Sequence, residues 1–475
     1  MKTDTIAAIA TALSDSGIGI IRISGKDAIA VGNLIFRTKE GGRKLNEVKS
    51  HTIHYGYIVD EDIPYEDNWK NHIVDEVMAV VMKAPHTYTT EDTVEINCHG
   101  GVLVMQKILE TVLKHGARMA EPGEFTKRAF LNGRIDLSKA EAVIDVIHSQ
   151  NEYALASSMN QLKGNLFQAI VKLREEIIYE IAFIESSLDD PEHISLEGYQ
   201  EKLFQKTEDL TARISSLIAT ADNGKMMKEG ISTVIVGKPN AGKSSLMNLL
   251  TGEDKAIVTE IAGTTRDVLE ENIKLHGIGF RIIDTAGIRN TDDQVEKIGV
   301  EKAKKYAKDA DLILYMVDAS VELDESDREI ISMLGNKNTV ILLNKSDLEN
   351  VVTEEKIQEL IDSLLPVHQK IAMIRTSTRE NTGIDEFENT VRDMFFKGQL
   401  QSNHEIVITN MRHKEALQEA YDSLCMVKKS IENNMPEDFY SIDLMSAYGA
   451  LGAIIGEEVG EDLVEEIFSK FCMGK

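Results

Sequence analysis

Gly237-Lys238-Pro239-Asn240-Ala241-Gly242-Lys243-Ser244 sets two glycines, a lysine and a hydroxyl in the spacing G-x-x-x-x-G-K-S. Without side chains at Gly237 and Gly242 the backbone can close around a phosphate chain and turn its N–H groups inward. Lys243 and the N-terminus of a following helix would neutralise β- and γ-phosphates, leaving the Ser244 hydroxyl for Mg²⁺. This pattern alone leaves the base open. Three further segments accompany it in order. Gly263-Thr264-Thr265-Arg266-Asp267 offers Thr265 as a switch threonine over Mg²⁺. Asp284-Thr285-Ala286-Gly287 follows an apolar run and brings a carboxylate toward the metal, with a flexible glycine toward the γ-phosphate. Asn344-Lys345-Ser346-Asp347 follows another such run. The Asp347 carboxylate can accept from both N1–H and the 2-amino group of guanine, and adenine offers neither donor. Each short segment alone reads as a turn; in this order, each behind a predicted strand, they read as a guanine nucleotide site.

Hydrolysis needs a group that orients water. A Ras-like protein uses a glutamine beyond its Asp-x-x-Gly glycine, but here Gly287 is followed by Ile288. Another water-positioning group and another positive charge are required. Asn240 and the 259–265 loop can bind a monovalent cation through amide and backbone oxygens. K⁺ held there would do the electrostatic work of an arginine finger.

These residues need a sheet to carry them. Ile231–Val236 is a β-branched run that ends in the glycine loop, and 279–283, 312–317 and 339–343 read as further buried strands with helical segments between. That alternation predicts a parallel sheet with helices on both faces. Residues 1–130 mix strand-like stretches (17–23, 52–59, 75–82, 93–97) with a helix at 102–113, an α+β pattern. From Gly123 to Asp190 there is no proline, and Leu166, Ile170, Leu173, Ile177, Ile181, Ile184 and Leu188 recur in steps of four and three. Such a stripe predicts a long amphipathic helix with a core-facing side. Residues 200–222 repeat the pattern more weakly, and 412–431 and 462–471 are helical again. The fold class expected is multidomain: an α+β N-terminal domain (1–132), a discontinuous α-helical domain (133–229 and 399–475), and an inserted α/β Ras-like P-loop domain (230–398).

Composition sets the bounds. The 475 residues are 42% hydrophobic and 28% charged, as in globular chains with ordinary cores. Three cysteines (Cys98, Cys425, Cys472) without C-x-x-C argue against a disulfide framework or structural zinc. The N-terminal residues carry neither signal nor transit character, and no run approaches the ~20 apolar residues of a membrane span. A cytoplasmic location and no membrane partner are expected. The net charge is −27. Contact with nucleic acid therefore requires a local basic patch or a basic partner.

Longer stretches resemble one family throughout. Asp4-Thr5-Ile6-Ala7-Ala8-Ile9-Ala10-Thr11, Gly19-Ile20-Ile21-Arg22-Ile23-Ser24-Gly25, residues 121–137 (EPGEFTKRAFLNGRIDL), the nucleotide motifs and Phe471-Cys472-Met473-Gly474-Lys475 are similar to the tRNA modification GTPase MnmE (TrmE) family. EPGEF and the terminal FCMGK are the more specific parts, since ribosome-assembly GTPases share the nucleotide motifs. The resemblance implies an N-terminal domain that binds a tetrahydrofolate derivative (5-formyl- or 5,10-methylene-type) and dimerises, followed by a helical domain interrupted by a K⁺-dependent GTPase domain. It implies a homodimer that joins the flavoprotein MnmG in a heterotetramer, with FAD on that partner. The complex would modify C5 of the wobble uridine (U34) of certain tRNAs, held mainly by the partner.

By the same resemblance, nucleotide contacts fall on Asn240, Ala241, Gly242, Lys243, Ser244 and Ser245. They continue on Thr259, Glu260, Ile261, Ala262, Gly263, Thr264 and Thr265, on Asp284, Thr285, Ala286 and Gly287, and on Asn344, Lys345, Asp347, Ser377 and Thr378. K⁺ falls on Asn240, Thr259, Ile261 and Thr264, Mg²⁺ on Ser244 and Thr265, and the catalytic water-orienting carboxylate on Glu296. Folate contacts fall on Arg22, Glu95, Arg134 and Lys475, with Cys472 either a packing residue or a group beside the one-carbon unit. Three departures stand out: Ala12-Leu13-Ser14-Asp15-Ser16 replaces a Pro/Gly-rich turn, Asp190 an aromatic, and Ser377-Thr378-Arg379 the usual Ser-Ala-Lys. A ribosome-assembly GTPase is the competing reading; the chain has a single phosphate loop and no G-x-x-G loop in a basic αβ context, which such factors usually pair with.

Overall fold

The computed structural model describes residues 4–39, 45–60, 69–149, 151–190, 193, 198–252, 270–275, 278–283, 306–335, 337–365, 371–396, 406–457, 460–471 and 474. The chain divides into two compact units, one of Met1–Ile144, Leu166–Arg174 and Leu451–Lys475, the other of Asp145–Asn165 and Glu175–Ala450.

In the first unit β1 (Ile6–Ile9), β2 (Ser16–Ser24), β3 (Phe36–Arg37), β4 (Thr52–Val59), β5 (Ile73–Met82), β6 (Thr93–Gly100) and β7 (Arg118–Met119) form one sheet in the order β3-β4-β5-β6-β2-β1-β7. Pairing is antiparallel except between β1 and β7. Alternation explains the sidedness. Val77, Ala79 and Val81 of β5 are buried with Ile21, Ile23, Val94 and Ile96 beneath helices Ala28–Ile35 and Val102–Lys114. The opposite face carries Arg22 and Glu95, which lie directly across from one another in the β2–β6 register. Helix Glu124–Leu131 comes from the EPGEF stretch, and its Phe125 packs with Ile6, Ala8 and Ala120.

The second unit holds the expected buried sheet. β8 (Ile231–Val236), β9 (Glu270–Leu275), β10 (Ile278–Ile283), β11 (Leu312–Asp318), β12 (Asn338–Asn344) and β13 (Ala372–Arg375) are ordered β13-β12-β11-β8-β10-β9. All neighbours are parallel except β9, which pairs antiparallel with β10. The sheet is thus mixed at one edge, which the buried apolar runs did not reveal. Ile235, Leu314 and Leu342 point into one apolar layer, and Val236, Tyr315 and Ile341 into the other. β8 lies between β10 on one side and β11 on the other, and the chain crosses from β10 to β11, so the loop after β8 sits at a topological switch point, where ligands bind in open α/β sheets.

The long helix runs Asn165–Asp189, with Leu166, Ile170, Leu173, Ile177, Ile181 and Ile184 buried. Leu188, in the last turn, is exposed instead. The weaker pattern at 200–222 resolves into two helices, Tyr199–Ala219 and Ala221–Glu229. Helix Met411–Glu432 returns against the first of these. Its Lys428 pairs with Glu208 and lies 5.4 Å from the Phe204 ring centroid. Among the described residues no helix is long and apolar enough to cross a membrane.

Candidate functional site

β8 ends at Val236 and helix Lys243–Gly252 begins six residues after Gly237, so the G-x-x-x-x-G-K-S segment forms the strand–loop–helix it requires. A Cβ at Gly237 would stand 2.4 Å from the Met316 carbonyl oxygen. At Gly242, where φ is +108°, a Cβ would stand 2.2 Å from Asn344 Nδ2. Both glycines are therefore demanded by the close approach of β11 and β12. Asn240 takes a left-handed φ of 60°, a conformation asparagine tolerates. Lys243 Nζ donates to the carbonyls of Gly237 (2.6 Å) and Lys238 (2.8 Å). Burial holds the Lys243 pKa below its ordinary value. Ser244 and Ser245 are exposed at the first turn of the helix. Such a cradle of N–H groups, a half-buried ammonium and an exposed hydroxyl suits a Mg²⁺-bound polyphosphate.

The base-recognition loop is tied to this cradle. Asn344 is 1% exposed; its Nδ2 donates to the Ala241 carbonyl (2.8 Å), and its Oδ1 accepts from Thr378 N–H (3.1 Å). Ser377 Oγ donates to Asp347 Oδ1 (2.8 Å) and fixes that carboxylate. Lys345, at φ 62°, places Nζ 2.5 Å from Asp318 Oδ2. Burial raises the Asp318 pKa, but hydrogen bonds from Lys345 and Ser320 more than reverse this and hold it low. Asn240, Ala241, Gly242, Lys243, Asn344, Lys345, Asp347, Ser377 and Thr378 are thus brought to one end of the sheet. Thr259, Glu260, Ile261, Ala262, Gly263, Thr264, Thr265, Asp284, Thr285, Ala286, Gly287 and Glu296 lie outside the described residues. Sequence reasoning missed Asp318. Its signal was available, since it ends an apolar strand at the level where β8 and β12 end in nucleotide motifs.

In the first unit, Arg22 Nε donates to Glu95 Oε1 (2.7 Å) and Nη1 to the Gly474 carbonyl (3.2 Å). The Arg22 guanidinium lies 5.6 Å from the Phe125 ring centroid, and that of Arg134 lies 5.4 Å from the Tyr88 centroid while donating to the Thr87 carbonyl. Burial raises the Tyr88 pKa against the opposing effects of the Thr126 hydrogen bond and the Arg22 and Arg134 charges. Asn97 follows Glu95 on the same face of β6, and its buried Oδ1 has no hydrogen-bond partner among the described residues. A carboxylate, two guanidiniums, an aromatic ring and an unused amide oxygen fit a ligand with a hydrogen-bonding heterocycle and anionic groups. Cys472 and Lys475 lie outside the described residues. Cys98 is a buried thiol whose pKa burial pushes up to about 11, which favours the protonated form.

A phosphate loop and an Asn-Lys-x-Asp loop on a largely parallel sheet define a P-loop GTPase, an enzyme that hydrolyses GTP with Mg²⁺. Residues 5–134 match the GTP-binding protein TrmE N-terminus, and residues 137–472 match the MnmE helical domain. The chain is 58% identical over 475 residues to the tRNA modification GTPase MnmE of Lachnoclostridium phytofermentans, covering all of both chains. To that of Acetivibrio thermocellus it is 48% identical over 474 residues, again covering both entirely. The Era protein of Aquifex aeolicus, solved with GDP and AlF4⁻, is 27% identical over 42% of this chain and 67% of that one, with a TM-score of 0.26. The chain belongs to the tRNA modification GTPase MnmE family.

Proposed function

We propose that the chain is a K⁺-dependent GTPase that acts with a flavoprotein partner of the MnmG type on the wobble uridine (U34) of certain tRNAs. Together they form a 5-carboxymethylaminomethyl or aminomethyl group at C5. GTP hydrolysis drives a conformational change. Asn240, Thr259, Ile261 and Thr264 hold K⁺, Ser244 and Thr265 hold Mg²⁺, and Glu296 orients water. Residues 1–132 form a folate-binding and dimerisation domain, 133–229 and 399–475 the helical domain, and 230–398 the GTPase domain. Arg22, Glu95, Arg134 and Lys475 bind the tetrahydrofolate derivative, which supplies a one-carbon unit when bound. FAD resides on the partner, the complex is a heterotetramer built on a homodimer, and its place is the cytoplasm.

The observation that carries this reading is family membership over the full chain, at both the N-terminal and helical regions. The Arg22–Glu95–Gly474 cluster supports the folate assignment, because Glu95 can pair with a pterin and Arg22 and Arg134 with carboxylates. The net charge of −27 supports a division of labour in which the partner grips most of the tRNA. Mass spectrometry of tRNA nucleosides from a deletion strain tests it. Loss of the C5 modification at U34 is expected, and normal U34 with GTP-dependent co-sedimentation on ribosomal subunits would instead favour an assembly factor.

A further inference from the structure

We propose that Lys238 is a positioning residue for GTP: clamped by Asp324 and Asp327, it fixes the loop backbone that in turn holds Lys243. This rests on reading residues 237–244 as the phosphate loop. Lys238 Nζ reaches Asp327 Oδ2 (2.7 Å) and Asp324 Oδ2 (3.0 Å) at the start of helix Glu325–Leu334. Its carbonyl accepts from Lys243 Nζ at 2.8 Å and from Ala241 N–H at 3.3 Å. One residue therefore joins the phosphate-binding ammonium, through its backbone, to a fixed point outside the loop, through its side chain.

The anchor is rigid. Asp327 is 1% exposed; Tyr315, fully buried in β11, donates its hydroxyl to Oδ1 at 2.7 Å, and Asp324 N–H donates to Oδ2 at 2.8 Å. Asp324 caps the helix by accepting from Ser326 and Asp327 N–H, completing a capping box. The last residue of β11, Asp318, opens the segment leading to this helix and binds Lys345. Residues 318–327 thus brace both loops of the site, the base loop through Asp318 and the phosphate loop through Asp324 and Asp327.

Charge gives the brace a second effect. Asp324 and Asp327 put two carboxylates behind a loop built for anions, and Lys238 stands between them and the loop. Removing the ammonium would loosen the loop and leave a like charge facing the phosphates. Because Lys238 touches no reacting group, this loss acts on ground state and transition state alike, on affinity and not on turnover.

The test uses the full chain with GTP, Mg²⁺ and saturating K⁺. Lys238→Met, which keeps the apolar stem, is expected to raise KM for GTP about tenfold and Kd for GDP about threefold, with kcat within about twofold. The loss should be larger for GTP than for GDP and shrink with added salt. Lys238→Arg should recover to within about threefold of the parent, because the guanidinium keeps the charge and can reach both carboxylates. Asp324→Asn, at an exposed position where asparagine still caps the helix, should give a smaller loss in the same direction. Lys238→Met with parental KM and Kd, an equal loss in Lys238→Arg, or a loss confined to kcat overturns the proposal. A parent chain that fails to bind GTP overturns the reading of the phosphate loop instead.

Discussion

Asn344 and Ala241 are joined by a buried hydrogen bond: the amide at the end of β12 donates to a carbonyl in the middle of the phosphate loop at 2.8 Å. The same amide accepts from Thr378 N–H, so one side chain ties three loops together. Base recognition and phosphate binding are thereby set in one frame before any ligand contact is made.

Asn344→Ala removes both bonds and leaves the Thr378 N–H and Ala241 carbonyl without their partner. Each such loss is worth about 1–3 kcal/mol in a buried setting. GDP and GTP affinity should fall about tenfold to a hundredfold, with a lower melting temperature in the nucleotide-free chain. Isothermal titration and a thermal melt read both, and unaltered affinity would show that the frame does not govern binding.

Ser377→Ala isolates the base side. It deletes the 2.8 Å bond to Asp347 and leaves the carboxylate free to rotate away from guanine. A single hydrogen bond to a charged group contributes about 1.5–3 kcal/mol. GTP should bind about tenfold or more weakly, and selectivity over ITP, which lacks the 2-amino donor, should narrow. Competition binding with the two nucleotides checks this; selectivity equal to the parent's would mean that Asp347 is held without Ser377.

Ile231–Val236 was legible because it is buried on both faces, and Thr52–Val59 because it is rich in β-branched and aromatic residues. Ile231–Val236 and Thr52–Val59 have the same bounds in sequence and structure. β9 was not legible: Glu270–Leu275 is an edge strand with four polar residues among its six, and nothing local fixes its direction. The short strand Ile6–Ile9 was missed because only its pairing with β2 and β7 makes it one. The nucleotide motifs were legible because they are contiguous. The Lys238 clamp was not, since Lys238 and Asp327 lie far apart in sequence and meet only through the β8–β11 pairing.

The cation role of Asn240 predicts a difference between salts. GTP hydrolysis should be much faster in K⁺ than in Na⁺, and Asn240→Ala should remove most of that difference. Glu296→Ala should retain nucleotide binding and lose nearly all hydrolysis, at least about a hundredfold for a water-orienting group. Phosphate-release assays in the two salts decide the first point: equal parental rates would exclude a K⁺ site.

Gly474 is placed to test the folate site without touching its charged groups. It sits at φ +92°, and a Cβ there would lie 2.4 Å from the Ile9 carbonyl oxygen. Gly474→Ala must therefore shift the carbonyl that Arg22 Nη1 binds. Binding of 5-formyltetrahydrofolate should weaken several-fold, about 1 kcal/mol for one displaced bond, while GTP hydrolysis stays at the parental rate. Fluorescence titration with the folate reads the first and phosphate release the second; unchanged folate affinity would separate the C-terminal residues from the site.

Glu124, from the EPGEF stretch, gives the first unit an acid-sensitive lock. It is 7% exposed and lies against Arg118 and Arg128, with Asp4 and Glu91 completing the cluster. Burial pushes the Glu124 pKa up, but hydrogen bonds from Arg118, the Glu121 N–H and Arg128 outweigh it and leave the pKa below 4.5. A carboxyl depressed on folding contributes stability that is present above its unfolded value and is lost as pH falls through the folded one. The contribution of Glu124 to the first unit should therefore be constant from neutral pH down to near 4.5 and be lost below it. Glu124→Gln should lower stability at pH 7 by about 3 kcal/mol, because the buried Arg128 and the half-buried Arg118 lose a shared anion, and should flatten the acid limb. Hydrogen exchange of the β1 and β7 amides across this pH range measures both effects; a variant with parental protection at pH 7 would show that Asp4 and Glu91 suffice to hold the two arginines.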